Sequence, residues 1–166
     1  VTQKHFALFV CLVTILWIFA DVEASERFTI NSDNYKLKGT VCKPNGAGPF
    51  PVVVYHHGGA GRTIGGAPKA TCEALAKDGF VGVSLLRRQT QSLRGHVNDA
   101  DAAVIYAKKL SYVDSSRIGI IGFSRGGLLA YQQATKRTDL SAVIIMAVAV
   151  NRQLNFRDAS NINTPI

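Results

Sequence analysis

Hydrophobic positions along this chain fall into three patterns, and each predicts a different element. Residues 6–20 (FALFVCLVTILWIFA) are apolar without interruption. Residues 27–31 (RFTIN) and 35–41 (YKLKGTV) alternate apolar with polar, the pattern of half-buried strands, and the turn-forming residues 32–34 separate them. Four further runs, at 51–55 (PVVVY), 80–86 (FVGVSLL), 117–123 (RIGIIGF) and 141–150 (SAVIIMAVAV), are continuously apolar and rich in β-branched residues. Such runs suit parallel strands covered on both faces. The stretches between them, at 67–77, 97–110 and 125–136, carry helical patterns. Asp78-Gly79 stops the first, and Lys108 and Lys109 close the second with charge favourable to its dipole. Strand and helix alternate throughout, which predicts an α/β fold with a doubly wound, mostly parallel sheet and an antiparallel start at one edge.

The first apolar run is too short for a membrane span, which needs about 20 residues, but it suits a signal-peptide core. Lys4 and His5 precede it, and Val22-Glu23-Ala24 offers small or medium residues where a peptidase reads. The expectation is a signal peptide over 1–24, export of the mature chain to a secreted or periplasmic location, and one domain over 25–166. An uncleaved amino-terminal anchor is the alternative. No stable membrane span is expected after cleavage.

Composition narrows the class. Hydrophobic residues make up 47% and charged residues 18%, which excludes a disordered or fibrous chain. Three cysteines exclude a disulfide framework or a cysteine-rich zinc module. In an oxidising compartment Cys42 and Cys72 could pair, but nothing local forces it, and two buried free thiols are the expectation. Net charge is +8, from 19 Lys and Arg against 11 Asp and Glu. Arg87, Arg88 and Arg94 cluster in one loop, but no aromatic residues interleave with them, so a solvated or substrate-facing loop is expected, with no nucleic-acid partner. His56 and His57 are adjacent and would diverge from a strand end, which disfavours a metal site. Gly58 to Gly66 lacks the dinucleotide-binding order, so no cofactor is expected.

The chemistry concentrates at Gly122-Phe123-Ser124-Arg125-Gly126, a G-x-S-x-G between a buried strand and a helix. A tight turn there needs flanking residues without a Cβ and lifts the Ser124 hydroxyl clear of the strand end. It also leaves the Arg125 N–H at a helix start, aimed at a developing oxyanion. His57-Gly58-Gly59-Ala60 ends the first buried strand, and Gly59 is the candidate for the second oxyanion donor. His57 reads as structural and His56 as facing solvent or a pocket. The side chain of Arg125 faces substrate or pairs with an acid.

These segments together resemble the α/β-hydrolase superfamily, in its dienelactone hydrolase and prolyl-oligopeptidase-like branch. The resemblance rests on PVVVYHHGGAG (51–61), FVGVSLLR (80–87), DAAVIYAKKL (101–110) and YVDSSRIGIIGFSRGG (112–127). It implies a serine nucleophile at Ser124, with oxyanion N–H groups from Arg125 and the Gly58-Gly59-Ala60 turn. Dienelactone hydrolases proper carry Cys at that position, so Ser favours an esterase or peptidase acting on a small-molecule ester or a peptide. The family order runs Ser, acid, His, yet only Asp139 and Asp158 follow Ser124, and all four histidines precede it. Asn161 to Ile166 resembles the lead-in to the family's next core strand. The expectation is therefore a carboxy-terminally truncated hydrolase domain, inactive by itself, whose strand at 141–150 is an uncovered, aggregation-prone edge. The rival reading is a non-catalytic protein of the same fold that binds a ligand or partner.

Overall fold

The computed structural model describes residues 24–150 and 154–166. The expected signal peptide lies almost wholly outside them. The two alternating segments form a hairpin, β1 (Ala24–Ser32) and β2 (Tyr35–Lys43), paired antiparallel through a turn in which Asp33 takes a φ of 49°. The four apolar runs become β3 (Phe50–His56), β4 (Val81–Leu85), β5 (Val113–Phe123) and β6 (Ala142–Met146). Together they make one sheet in the order β1-β2-β4-β3-β5-β6, with β4, β3, β5 and β6 mutually parallel and β2 antiparallel to β4.

Three helices complete the winding: α1 (Pro68–Lys77), α2 (His96–Lys108) and α3 (Arg125–Ala134). Side-chain alternation along the strands assigns their faces. Val52, Val54, Val81, Val83, Ile118 and Ile120 pack with Ala103, Val104, Ala107, Ala130 and Ala134 of α2 and α3 in the main core. Small helix residues against branched strand residues bring the layers close. The opposite face carries α1. A Cβ on Gly82 would stand 2.6 Å from the Cys72 carbonyl oxygen, so glycine is what lets α1 lie this close to β4.

The same close approach corrects the reading of the cysteines. Cys42 of β2 and Cys72 of α1 are joined in a disulfide, with Cα atoms 5.6 Å apart. Both are fully buried and form a small cluster with Ala76. A cross-link closing 30 residues is worth about 3.5 kcal/mol on a chain-entropy scale.

The last strand is also shorter than the apolar run suggests. β6 stops at Met146, because Ala147 turns the backbone to a φ of 45°. Its outer edge is partly occupied: the Val143 N–H donates to the Pro165 carbonyl at 3.0 Å, and the Thr164 hydroxyl donates to the Leu140 carbonyl at 3.3 Å. The edge expected to be bare is therefore covered at its beginning. What stays open is a face. Among the described residues no helix covers the α1 side of β5 and β6, leaving an apolar groove of about 580 Å³ lined by Val53, Phe80, Ile121 and Ile144, among others.

Candidate active site

Strand β5 runs directly into α3, and the single residue between them is Ser124, with φ 54° and ψ −113°. A non-glycine residue held there carries backbone strain of about 1–3 kcal/mol, which persists only where surrounding structure over-determines it. Here the clamps are visible. The Ser124 N–H donates to the Met146 carbonyl at 2.9 Å, and the Ser124 carbonyl accepts from Leu128 at 3.2 Å and from Ala149 at 3.0 Å. The flanking glycines are obligatory on steric grounds. A Cβ on Gly122 would strike the Gly126 carbonyl oxygen, and one on Gly126 would strike the carbonyl oxygen of His56. Helix α3 is thus pressed against the end of β3 as well as β5.

That contact brings the second predicted segment to the serine. A Cβ on Gly58 would sit 3.2 Å from the Ser124 Cβ, so the glycine turn after β3 borders the nucleophile position. The turn is held by a two-way pairing of Gly58 with Gly65, at 3.0 and 3.2 Å. Gly59 takes a φ of 82°, open to glycine at little cost, and a side chain there would collide with the Thr63 carbonyl. As the first residue of α3, Arg125 has no acceptor for its N–H within the helix. Ser124, Arg125 and Gly59 are all half-buried at this one end of the sheet.

The histidines behave differently from one another. His57 is buried and structural, as expected: its Nδ1–H donates to the Gly58 carbonyl at 2.6 Å, and its Nε2 accepts from the Arg87 N–H at 3.3 Å. Burial, reinforced by the Arg87 charge, pushes its pKa down to about 4. The expectation for His56 was wrong. It is 2% exposed, and its Nε2 is bonded at 2.6 Å to Gln133 Oε1, whose amide nitrogen in turn donates to Asp101. Burial holds its pKa near 3. The reason is topological: β3 is flanked by strands on both sides, and its end lies under α3. His96 is also buried, bonded through Nε2 to Thr90, with a pKa lowered by burial to about 4. Each described histidine is therefore neutral near pH 7 and engaged away from Ser124.

The arginine loop is corrected too. Arg88 is not solvated: it is buried, forks onto Asp99 at 2.7–3.1 Å, and reaches Asp33 in the hairpin turn at 2.7 Å. Arg87 is buried as well, and no carboxylate pairs with it among the described residues. Its guanidinium donates to the His57 carbonyl at 2.6 Å and to the Gly59 carbonyl at 3.4 Å, which pins the glycine turn. Burial and the nearby Arg125 charge lower its pKa to about 10. Only Arg94 is exposed as expected. Among the described residues Arg125 pairs with no acid; it donates to the Gln91 carbonyl at 3.0 Å and ties α3 to the same loop. Asp139 is held by Arg137 and Lys108, with its pKa lowered to about 2, and Asp158 accepts from Asn155. Neither acid is directed toward a described histidine.

Sequence reasoning missed Arg87 and Gln133. A signal existed for Gln133, a polar residue in an otherwise apolar helical stripe. None existed for Arg87, whose partners are carbonyl groups.

A family model described as "Dienelactone hydrolase family" matches residues 84–166. Among curated proteins, mouse acyl-coenzyme A thioesterase 3 is 26% identical over 132 residues, covering 74% of this chain and 29% of that protein. A Synechocystis sp. protein provisionally named as a carboxymethylenebutenolidase is 25% identical over 134 residues, covering 66% and 53%. Among solved structures, the Pyrobaculum calidifontis esterase superposes with a TM-score of 0.65 at 26% identity, over 77% of this chain and 46% of that one. The chain spans between about a third and about half of the curated relatives' lengths.

Proposed function

We propose a reaction class for this chain from one premise: it belongs to the dienelactone hydrolase family and has the sheet of an α/β-hydrolase. The protein that carries it is a serine hydrolase acting on carboxylic esters, with peptides as the secondary substrate class. The observation that supports this reading most is the strained Ser124 between β5 and α3, bordered by two glycines that no other residue could replace. In the proposed reaction the Ser124 oxygen attacks the substrate carbonyl carbon and gives its proton to a base. The N–H groups of Arg125 and Gly59 hold the oxyanion. The carbon–oxygen bond to the leaving alcohol then breaks, that alcohol takes the proton, and water releases the acyl group.

The described residues offer no free base, because each of their histidines is bonded elsewhere. The base we propose is a histidine following Ser124 in the complete protein, in the order this fold uses. By itself the 166-residue chain is then inactive. A fluorophosphonate probe should label the complete protein at Ser124 and leave the 166-residue chain unlabelled. Labelling that persists in Ser124→Ala would refute the assignment, and a complete protein that never labels would favour a binding role.

We also propose that the mature domain is exported. The buried Cys42–Cys72 bond supports this, since structural disulfides persist in oxidising compartments. Amino-terminal sequencing from the native host should begin at or within a few residues of Ser25; an intact Val1 in a cytosolic fraction would contradict export.

A further inference from the structure

The positive charge of the hairpin plays no part in the proposed reaction, and its placement is specific. Strand pairing sets Arg27 opposite Thr40, Thr40 opposite Ser84, and Ser84 opposite Tyr55. Directly paired residues share a face with Cβ atoms about 5 Å apart, so these four form one row across β1, β2, β4 and β3. Thr29 and Lys38 make the adjacent pair on the same face. Cys42, two residues beyond Thr40, fixes α1 over this face through its bond to Cys72. At the far end the Tyr55 hydroxyl donates to the Gly66 carbonyl at 2.6 Å, just ahead of α1. Between hairpin and helix lies a groove of about 720 Å³, lined by Arg27, Lys38, Thr40, Ser84 and Lys69 among others.

Three features of the groove call for an anion. Its floor holds Ser84, 3% exposed, whose hydroxyl has no partner among the described residues. A buried hydroxyl left unbonded is costly and unusual. Its rim is the start of α1, where the cap residue Ala67 supplies no side-chain bond and Pro68 has no N–H. Thr71 bonds back to Ala67, so the N–H groups of Lys69 and Ala70 are the ones left facing outward. Its walls carry Arg27 and Lys38, neither of which makes an ion pair among the described residues. The nearby carboxylates do not neutralise them: Glu73 is held by Lys69 at 2.5 Å, and Glu26 points to the other face of β1.

We propose that this groove binds a phosphate group. Cations on one side, helix amides on another and hydroxyls beneath approach from three directions. That arrangement suits the many acceptor positions of a tetrahedral phosphate better than the two oxygens of a planar carboxylate. The ligand is a phosphate ester, and the site is separate from Ser124.

The test is a titration of the full chain in chloride buffer, followed through backbone amide NMR shifts. The probes are glycerol 3-phosphate, glycerol as the neutral control, and vesicles of phosphatidylcholine with and without phosphatidate. The expected result is saturable shifts at Thr40, Ser84, Lys69 and Ala70 with glycerol 3-phosphate and none with glycerol. Arg27→Ala combined with Lys38→Ala changes only exposed side chains, and it should weaken binding at least about tenfold. Ser84→Ala should weaken it less. If only phosphatidate vesicles bind, and the double variant releases them, the phosphate belongs to a lipid headgroup and the site stands. No saturation by either ligand up to tens of millimolar, or saturation unchanged in the double variant, overturns the proposal.

Discussion

The two flanks of the sheet are built from similar apolar strands but are finished differently. On the β2–β4 flank, α1 covers one face and α2 the other, a disulfide ties helix to strand, and Arg88 joins Asp99 to the hairpin turn. On the β5–β6 flank, α3 covers one face and no helix among the described residues covers the other, with Ile144 51% exposed and Met146 39% exposed. Parallel strands are stable when covered on both sides. The first flank meets that condition from within the described residues. The second meets it halfway, and an apolar groove marks the shortfall. The strained serine stands where the two regimes meet, anchored by Met146 and Ala149 on one side and bordered by the glycine turn on the other.

The comparison breaks most decisively at the cross-link. Replacing Cys42 and Cys72 together by Ser should cost about 3 kcal/mol in urea unfolding, because it frees a 30-residue loop in the unfolded chain and leaves two hydroxyls buried. A loss below about 1 kcal/mol would mean that the covered flank does not depend on its staple.

Acid should act next, and on both flanks, since His56 is bonded to α3 while His57 and His96 are bonded to the arginine loop. His56, His57 and His96 have native pKa values near 3, 4 and 4, below the unfolded value near 6.5. The unfolded chain therefore binds more protons below that value. Stability conferred by the neutral native histidines is fully present above about pH 6.5 and is lost as pH falls toward 4. The urea midpoint should drop steadily between pH 7 and pH 4.5, and a flat profile would contradict the neutral, engaged histidines.

The smallest effect belongs to the open flank. Ile144→Lys should change unfolding stability by no more than about 0.5 kcal/mol, since the side chain is already half in water. It should, however, lower concentration-dependent self-association measured by sedimentation, because it interrupts the exposed apolar face. A large destabilisation would show that this face is covered in solution.

Much of this was legible from the residues alone. The runs PVVVY and RIGIIGF read as interior strands from their β-branched, continuously apolar pattern, and Ser124 between Gly122 and Gly126 read as a tight strand-to-helix turn, because glycines there allow close backbone approach. Charge was read poorly. Arg87 and Arg88 looked solvated because their partners lie outside the loop: Asp99 is 11 and Asp33 is 55 residues from Arg88, and His57 is 30 from Arg87. His56 looked exposed because a strand end usually is, and nothing local revealed α3 lying across it.

What the sequence determined by itself is the alternation of strands and helices and the place where the chain must bend sharply, since periodicity and missing Cβ atoms act over a few residues. The tertiary structure alone decided that Cys42 meets Cys72, that two arginines are buried, and that every described histidine is engaged away from the serine. Those outcomes depend on which helix lies over which strand, and that is settled by packing between segments tens of residues apart.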